Sequence, residues 1–163
     1  MIRAAQMKDL PAIEAVYAVA RGYMARTGNP TQWGTIYPKH ELLVSDIEKG
    51  ELFVCEEEGT IRGVFAFILG DDPTYAYIED GRWPNDLPYG TIHRIASDGQ
   101  TKGIFTKCFA YALSQMDEIR IDTHHDNKTM QHVVEKHGFK RCGIIYVQDG
   151  SARIAYQYSK ENP

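Results

Sequence analysis

The sequence lacks any apolar run able to cross a bilayer: its longest, Val64 to Leu69, falls far short of the ~20 residues a spanning helix needs. It also lacks a basic start followed by an apolar stretch of signal-peptide length, so a cytoplasmic chain with no membrane partner is expected. Cysteine is scarce. The three present, Cys55, Cys108 and Cys142, are odd in number and widely separated, which excludes a disulfide framework and reads as thiols in a reducing compartment. Positive charge is not in excess either: 18 Lys and Arg stand against 22 Asp and Glu, for a net charge of -4. Phosphate backbones need Lys and Arg clustered over a whole face, so no nucleic-acid partner is expected. There is no internal repeat, low-complexity tract or linker, and 163 residues, 43% of them hydrophobic, predict one domain over residues 1–163.

What is present alternates between strand and helix patterns. Ile2 to Ala5 reads as a strand, and Asp9 stands where an N-cap would, with Pro11 in the first turn of a helix reaching about Arg26. A second helix runs from Lys39 to Lys49 and stops at Gly50, followed by two strands, Leu52 to Glu56 and Ile61 to Leu69, joined as a hairpin. Tyr75 to Ile78 is expected as a strand, and Glu79 to Tyr89, with Gly81, Pro84 and Pro88, as a long loop. Then come a strand from Gly90 to Ala96, a helix from Ile104 to Met116 and a strand from Ile119 to Thr123. A helix capped by Asp126 or Asn127 runs to His137, and the strands Phe139 to Val147 and Arg153 to Tyr158 close the chain around the turn at Asp149-Gly150.

Gln100-Thr101-Lys102-Gly103-Ile104-Phe105 leads from a strand into a helix. Backbone N–H groups at a helix N-terminus and the helix dipole together favour an anion there. Taken alone, the segment also reads as an ordinary strand-to-helix turn containing a glycine.

Gln100 and Gly103 are similar to the pyrophosphate loop of the GNAT superfamily of acyl-CoA-dependent N-acetyltransferases, with Phe105 departing from the small residue at its last position. Asn127, Met130, Val133 and then Glu135-Lys136-His137-Gly138-Phe139 resemble the same family's asparagine-to-Lys-x-Gly-Phe segment, in the right order after a strand. The resemblance implies an α/β (α+β) fold: a mixed, mostly antiparallel sheet of about seven strands flanked by about four helices. It further implies acetyl-CoA as co-substrate, without a metal, entering between two splayed strands. By family position the backbone of Ile95, Ala96 and Ser97 meets pantetheine, and Gln100, Thr101, Lys102, Gly103, Ile104 and Phe105 form the pyrophosphate loop. Asn127 meets the cofactor arm, while Lys102, Lys107 and Lys136 add positive field.

The activity so implied is transfer of an acetyl group to an amine of a small molecule or peptide by direct attack in a ternary complex. Its proton donor in many members is a tyrosine, which is Val134 here, and Tyr146 is the substitute acid. His93 is the preferred base, since imidazole exchanges protons near neutral pH; a half-buried strand histidine satisfied by a neighbour is the competing reading. Glu79 and His124 are further base candidates. His124-His125-Asp126, followed by His132, has the residue types of a zinc site, but His125 and His132 lack a partner at i+3 or i+4 and a helix-capping turn accounts for them. Asp71, Asp72, Glu79, Asp80 and Asp86 interleave with Tyr75, Tyr77 and Trp83, a composition suited to a cationic acceptor. Two other classes compete with the enzyme. One is a non-catalytic acyl-CoA-binding or sensing module; the other is a homodimeric scaffold using the apolar final hairpin, Ile144 to Tyr158, as its interface.

Overall fold

Arg3, at the centre of the first strand, β1 (Ile2–Ala4), fixes how the chain begins in this computed structural model, which describes residues 1–162. Its guanidinium reaches both carboxylate oxygens of Asp9, at 2.8 and 3.0 Å, and Glu56 at 2.7 Å. Asp9 also accepts a hydrogen bond from the Gln6 amide at 2.8 Å. It does stand at the N-cap position of helix α1 (Leu10–Arg26), but its side chain makes no cap bond to that helix. The bidentate arginine and the preceding 3-10 turn, Met7–Asp9, hold the carboxylate instead. These bonds, Arg3 first, lower the Asp9 pKa. A depressed carboxylate stabilises the fold above its unfolded value, and the stability is lost as pH falls through the folded value. Asp9→Asn should therefore lower the melting temperature at pH 7 and flatten the fall in stability below about pH 4, as thermal melts across that range would show.

Two compact units make up the chain. The first comprises Met1–Phe67 and His93–Tyr111, the second Ile68–Ile92 and Ala112–Pro163. In the first, helix α2 (His40–Glu48) follows α1, and the strands β2 (Leu52–Glu57) and β3 (Thr60–Leu69) form the expected hairpin. Its turn residues Glu58 and Gly59 both have positive φ, 51° and 79°, as a two-residue turn matched to strand twist requires. Ile13, Val16 and Tyr17 of α1 and Leu43 of α2 pack with Leu52, Val54 and Val64 of the hairpin into one buried cluster. The alternating inward residues of β2 and β3 thus face the apolar stripe of α1.

Strand β4 (Gly90–Ser97) starts in the second unit and ends in the first, and helix α3 (Ile104–Gln115) likewise spans the boundary. The second unit holds β5 (Glu118–Thr123), helix α4 (Lys128–Lys136), and the closing hairpin β6 (Lys140–Tyr146) and β7 (Ala152–Ser159). The seven strands run in the order β1-β2-β3-β4-β5-β7-β6. β4 and β5 are parallel, whereas β1 with β2, β2 with β3, β5 with β7 and β6 with β7 are antiparallel. Among the described residues no helix is long and apolar enough to cross a membrane. In the final hairpin Ile145, Ile154 and Tyr156 are buried, Ile144 and Tyr158 half-buried and Tyr146 exposed.

The expected strand from Tyr75 to Ile78 is not formed. Asp72 accepts a hydrogen bond from the Thr74 amide, and Pro73–Tyr75 turn as a single 3-10 turn. The buried Tyr75 donates its hydroxyl to Asp122 at 2.6 Å. Only Glu79 pairs like a strand residue, through an isolated antiparallel bridge to Ile144. The loop that follows is anchored by Arg120, whose guanidinium lies 3.9 Å from the ring centres of both Trp83 and Tyr89. Arg120 also donates to Gln157 and to the Asn85 carbonyl, while Asn85 donates to the buried Glu118.

Candidate active site

β4 carries the residues expected to face acetyl-CoA, and it is not a regular strand. Arg94 sits at φ 52°, the left-handed region, which costs a non-glycine residue of the order of 1–3 kcal/mol. Three contacts hold it there. The Tyr17 hydroxyl donates to the Arg94 carbonyl at 2.7 Å, Asp46 pairs with the guanidinium at 2.9 Å, and the guanidinium donates to the Tyr37 hydroxyl at 3.4 Å. The ion pair is well covered, with side-chain exposures of 10% for Arg94 and 4% for Asp46, so neither charge is screened by water. Burial pushes the Tyr17 phenol well above its ordinary value and keeps it a donor. A left-handed residue inside a strand breaks the alternation and re-aims the backbone that follows, here Ile95, Ala96 and Ser97. His93, immediately before it, is half-buried. Sequence reading missed Asp46, Tyr17 and Tyr37, because nothing in their spacing links them to Arg94.

The turn from β4 into α3 is organised by Asp98. Its carboxylate accepts from the Gln100 amide at 2.9 Å and pairs with Arg62 at 3.0 Å. The first intrahelical bond of α3 runs from the Lys107 amide to the Gly103 carbonyl, so the backbone of residues 101–104 lies ahead of the helix's own ladder, where helix amides point outward. Gly103 has φ 79°, and no heavy atom lies within 4 Å of where a Cβ would stand. This open backbone fits a pyrophosphate at a helix N-terminus. The Phe105 ring stacks on Phe109 one turn on, with ring centres 6.0 Å apart. Lys102 is exposed, whereas Lys107 is paired to Glu57, which takes its charge out of the expected positive field.

In the second unit the sequence candidates Glu79 and Tyr146 meet. The bridge runs through the Glu79 amide to the Ile144 carbonyl at 3.0 Å and the Ile144 amide to the Glu79 carbonyl at 2.8 Å. The bridge brings the Glu79 side chain within reach of Tyr146, two residues along β6, and Tyr77 joins them from its own side of the loop. Tyr146 donates its hydroxyl to one Glu79 oxygen, and Tyr77 donates to the other at 2.9 Å. The bond from Tyr146, then that from Tyr77, lowers the Glu79 pKa, and the carboxylate raises those of both phenols. These shifts work against Glu79 as a base and Tyr146 as an acid. Trp83 and Tyr75 do not present a cage for a cation: Trp83 stacks on Arg120 and its indole N–H donates to the Tyr75 carbonyl.

Asn127 caps α4, its side-chain oxygen accepting from the Met130 amide at 3.0 Å. His124, buried at the end of β5, accepts a hydrogen bond from the Asp126 amide at Nδ1. Burial lowers its pKa and favours the neutral ring, and with Nδ1 accepting, the proton of that neutral ring belongs on Nε2. His124, His125 and Asp126 bring possible ligand atoms within 4.8 Å of one another, and His132 is not part of that group.

No protein-family model and no curated protein matches the chain. Solved structures do. A GNAT-family acetyltransferase from Streptococcus agalactiae is 33% identical, with a TM-score of 0.88 over 99% of this chain and 96% of its own. The chain belongs to the GNAT family of acetyltransferases. A Staphylococcus aureus protein assigned as an acetyltransferase is 27% identical, covering 98% of this chain and 99% of its own at a TM-score of 0.72. Ribosomal-protein-alanine N-acetyltransferase from Brucella melitensis, 17% identical with a TM-score of 0.63 over 98% of this chain and 99% of its own, shares the fold. The α/β architecture expected from the resemblance, a seven-stranded, mostly antiparallel sheet with four helices, is the GNAT fold. At the position where many GNAT members carry a tyrosine, Val134 is completely buried in α4. Lys136, in the last turn of that helix, is exposed.

Proposed function

We propose that this GNAT protein moves the acetyl group of acetyl-CoA onto an amine of a small molecule or peptide, by direct attack while both substrates are bound. The observation that carries this reading is the continuous stretch from Arg94 to Gly103: a strand re-aimed by a left-handed residue, then an open glycine backbone at a helix N-terminus. Acetyl-CoA supplies the activated acyl carbon. The backbone of Ile95, Ala96 and Ser97 orients its pantetheine arm, and the residues from Gln100 to Phe105 hold the pyrophosphate. A strand N–H steadies the oxyanion that forms when the amine nitrogen attacks the thioester carbon. His93 takes the proton from the ammonium form of the acceptor, directly or through water, so that a neutral nitrogen attacks. As the carbon–sulfur bond breaks, the proton that the nitrogen loses on becoming an amide passes through water to the departing thiolate.

The first test is thermal unfolding with acetyl-CoA. At about a hundred times the dissociation constant it should stabilise the native state by roughly 2.7 kcal/mol. Amine-dependent release of free thiol should follow, and His93→Ala should lower kcat by about 100-fold or more while leaving the acetyl-CoA-induced shift intact. An unchanged kcat in the variant removes His93 from the reaction. The buried Val134 and the engagement of Tyr146 with Glu79 favour one competing reading, a non-catalytic acyl-CoA-binding or sensing module. Stabilisation by acetyl-CoA with no thiol release for any amine would decide for that module.

A further inference from the structure

Glu79 presents a charge without a counter-charge. Among the described residues no Lys, Arg or His approaches its carboxylate; its side-chain partners are the hydroxyls of Tyr77 and Tyr146 alone. An ionised carboxylate offers about four acceptor positions, and the two phenols fill two of them. The two tyrosines beside the remaining lone pairs are themselves open, Tyr77 being 62% exposed and Tyr146 39%. Each other large aromatic group of this segment is used internally: Tyr75 on Asp122, and Trp83 and Tyr89 on Arg120. The arrangement is also held in place by backbone, through the paired bonds between Glu79 and Ile144. It is therefore presented by a bridge and not left to side-chain freedom.

We infer that Tyr77, Glu79 and Tyr146 form a subsite for an organic ammonium group, with the cation on the Glu79 carboxylate and its first methylenes against the two phenol rings. The chemistry is that of an exposed carboxylate with no counter-charge, flanked by two open phenols whose rings offer apolar contact to the methylenes. The site favours charge: an ammonium on the open lone pairs of Glu79 forms a charge-assisted pair with a carboxylate that has no other counter-charge, whereas a neutral amine or alcohol adds only a neutral-donor hydrogen bond. Glu79 thus acts as the element that recognises a cationic acceptor, and proton removal falls to another group. As a statement about the acceptor the inference rests on the acyl-transfer reading; as a statement about binding it does not.

The test uses the protein without acetyl-CoA. Tyrosine-ring resonances, assigned with Tyr77→Phe and Tyr146→Phe, are followed during titration with n-butylammonium and, in parallel, with 1-butanol. The expected result is a saturable movement of the Tyr77 and Tyr146 signals with the ammonium only, weakened at least fivefold in Glu79→Gln. Equal responses to the alcohol, or an unchanged titration in Glu79→Gln, would overturn the subsite. The variant's fold is checked by its melting temperature, which should match the parent because the change is isosteric. With acetyl-CoA present, Glu79→Gln should raise KM for a cationic amine at least fivefold while kcat changes less than threefold. Saturable binding without turnover of any amine would retain the subsite and remove the acyl-transfer reading, whereas turnover with an unchanged KM would show that the acceptor does not use it.

Discussion

Asp46→Ala should destabilise the protein by about 3–5 kcal/mol, the cost of leaving a buried cation without its partner. The carboxylate it removes lies 2.9 Å from the Arg94 guanidinium, and both side chains are almost fully covered. Arg94 would keep only the bond to the Tyr37 hydroxyl on its charged end. The same pair offsets the left-handed conformation of Arg94 in the middle of β4, so the variant should lose more than stability. Where it still folds, the backbone of Ile95 to Ser97 should relax toward a regular strand and affinity for acetyl-CoA should fall. Urea denaturation measures the first effect, and the acetyl-CoA-induced rise in melting temperature measures the second. Asp46→Asn, which keeps the shape and one acceptor oxygen, should lie between the parent and alanine. Equal stability of all three proteins would mean that the ion pair contributes nothing.

Gly81→Ala should cost about 2–3 kcal/mol, and its effect should reach Glu79. An added Cβ would lie 1.9 Å from the Cys142 carbonyl oxygen and 2.9 Å from its carbon, both backbone atoms that cannot swing aside. Gly81 lies two residues beyond Glu79 and against the backbone two residues before Ile144, so relief of the clash should disturb the bridge between Glu79 and Ile144. Gly143→Ala tests the other side of the same approach, since its Cβ would stand 2.6 Å from the Glu79 carbonyl oxygen. Gly150→Ala is the control. It too has a left-handed φ, 84°, but no atom within 4 Å of the new methyl, so it should cost only about 1 kcal/mol from backbone strain. Denaturation midpoints compare the three; if Gly81→Ala were as mild as Gly150→Ala, the bridge would not be fixed by close approach. In Gly81→Ala the protons of Tyr77 and Tyr146 should exchange faster with water once Glu79 moves out of their reach.

Much of the fold was legible because its signals are local. Gly50 and Gly138 stop their helices at φ 71° and 94°, Asn127 caps α4, and the Glu58-Gly59 turn closes its hairpin. Each is a property of a few adjacent residues, readable as spacing and turn chemistry. The family resemblance rested on the same kind of signal, Gln100 with Gly103 and Asn127 to Phe139. Reading failed where distant groups compete with local ones. Asp9 has the identity and place of an N-cap, but Arg3 reaches its carboxylate. Tyr75 to Ile78 alternates like a strand, but Asp72 turns the chain and Asp122 draws Tyr75 inward. Lys107 looked available to a phosphate until the fold set it against Glu57.

The sequence by itself determined the period and boundaries of most elements, the single hairpin turns and the motif that marks the family, since these depend on backbone preferences within a few residues. Only the tertiary structure decided which charges are already spent and which are not. Arg94 and Asp46, Arg120 between Trp83 and Tyr89, and Glu79 between Tyr77 and Tyr146 join residues that no spacing rule connects. A side chain's chemistry is set by the dielectric, hydrogen bonds and charges within a few ångströms of it, and in this chain those neighbours arrive from distant strands, helices and loops.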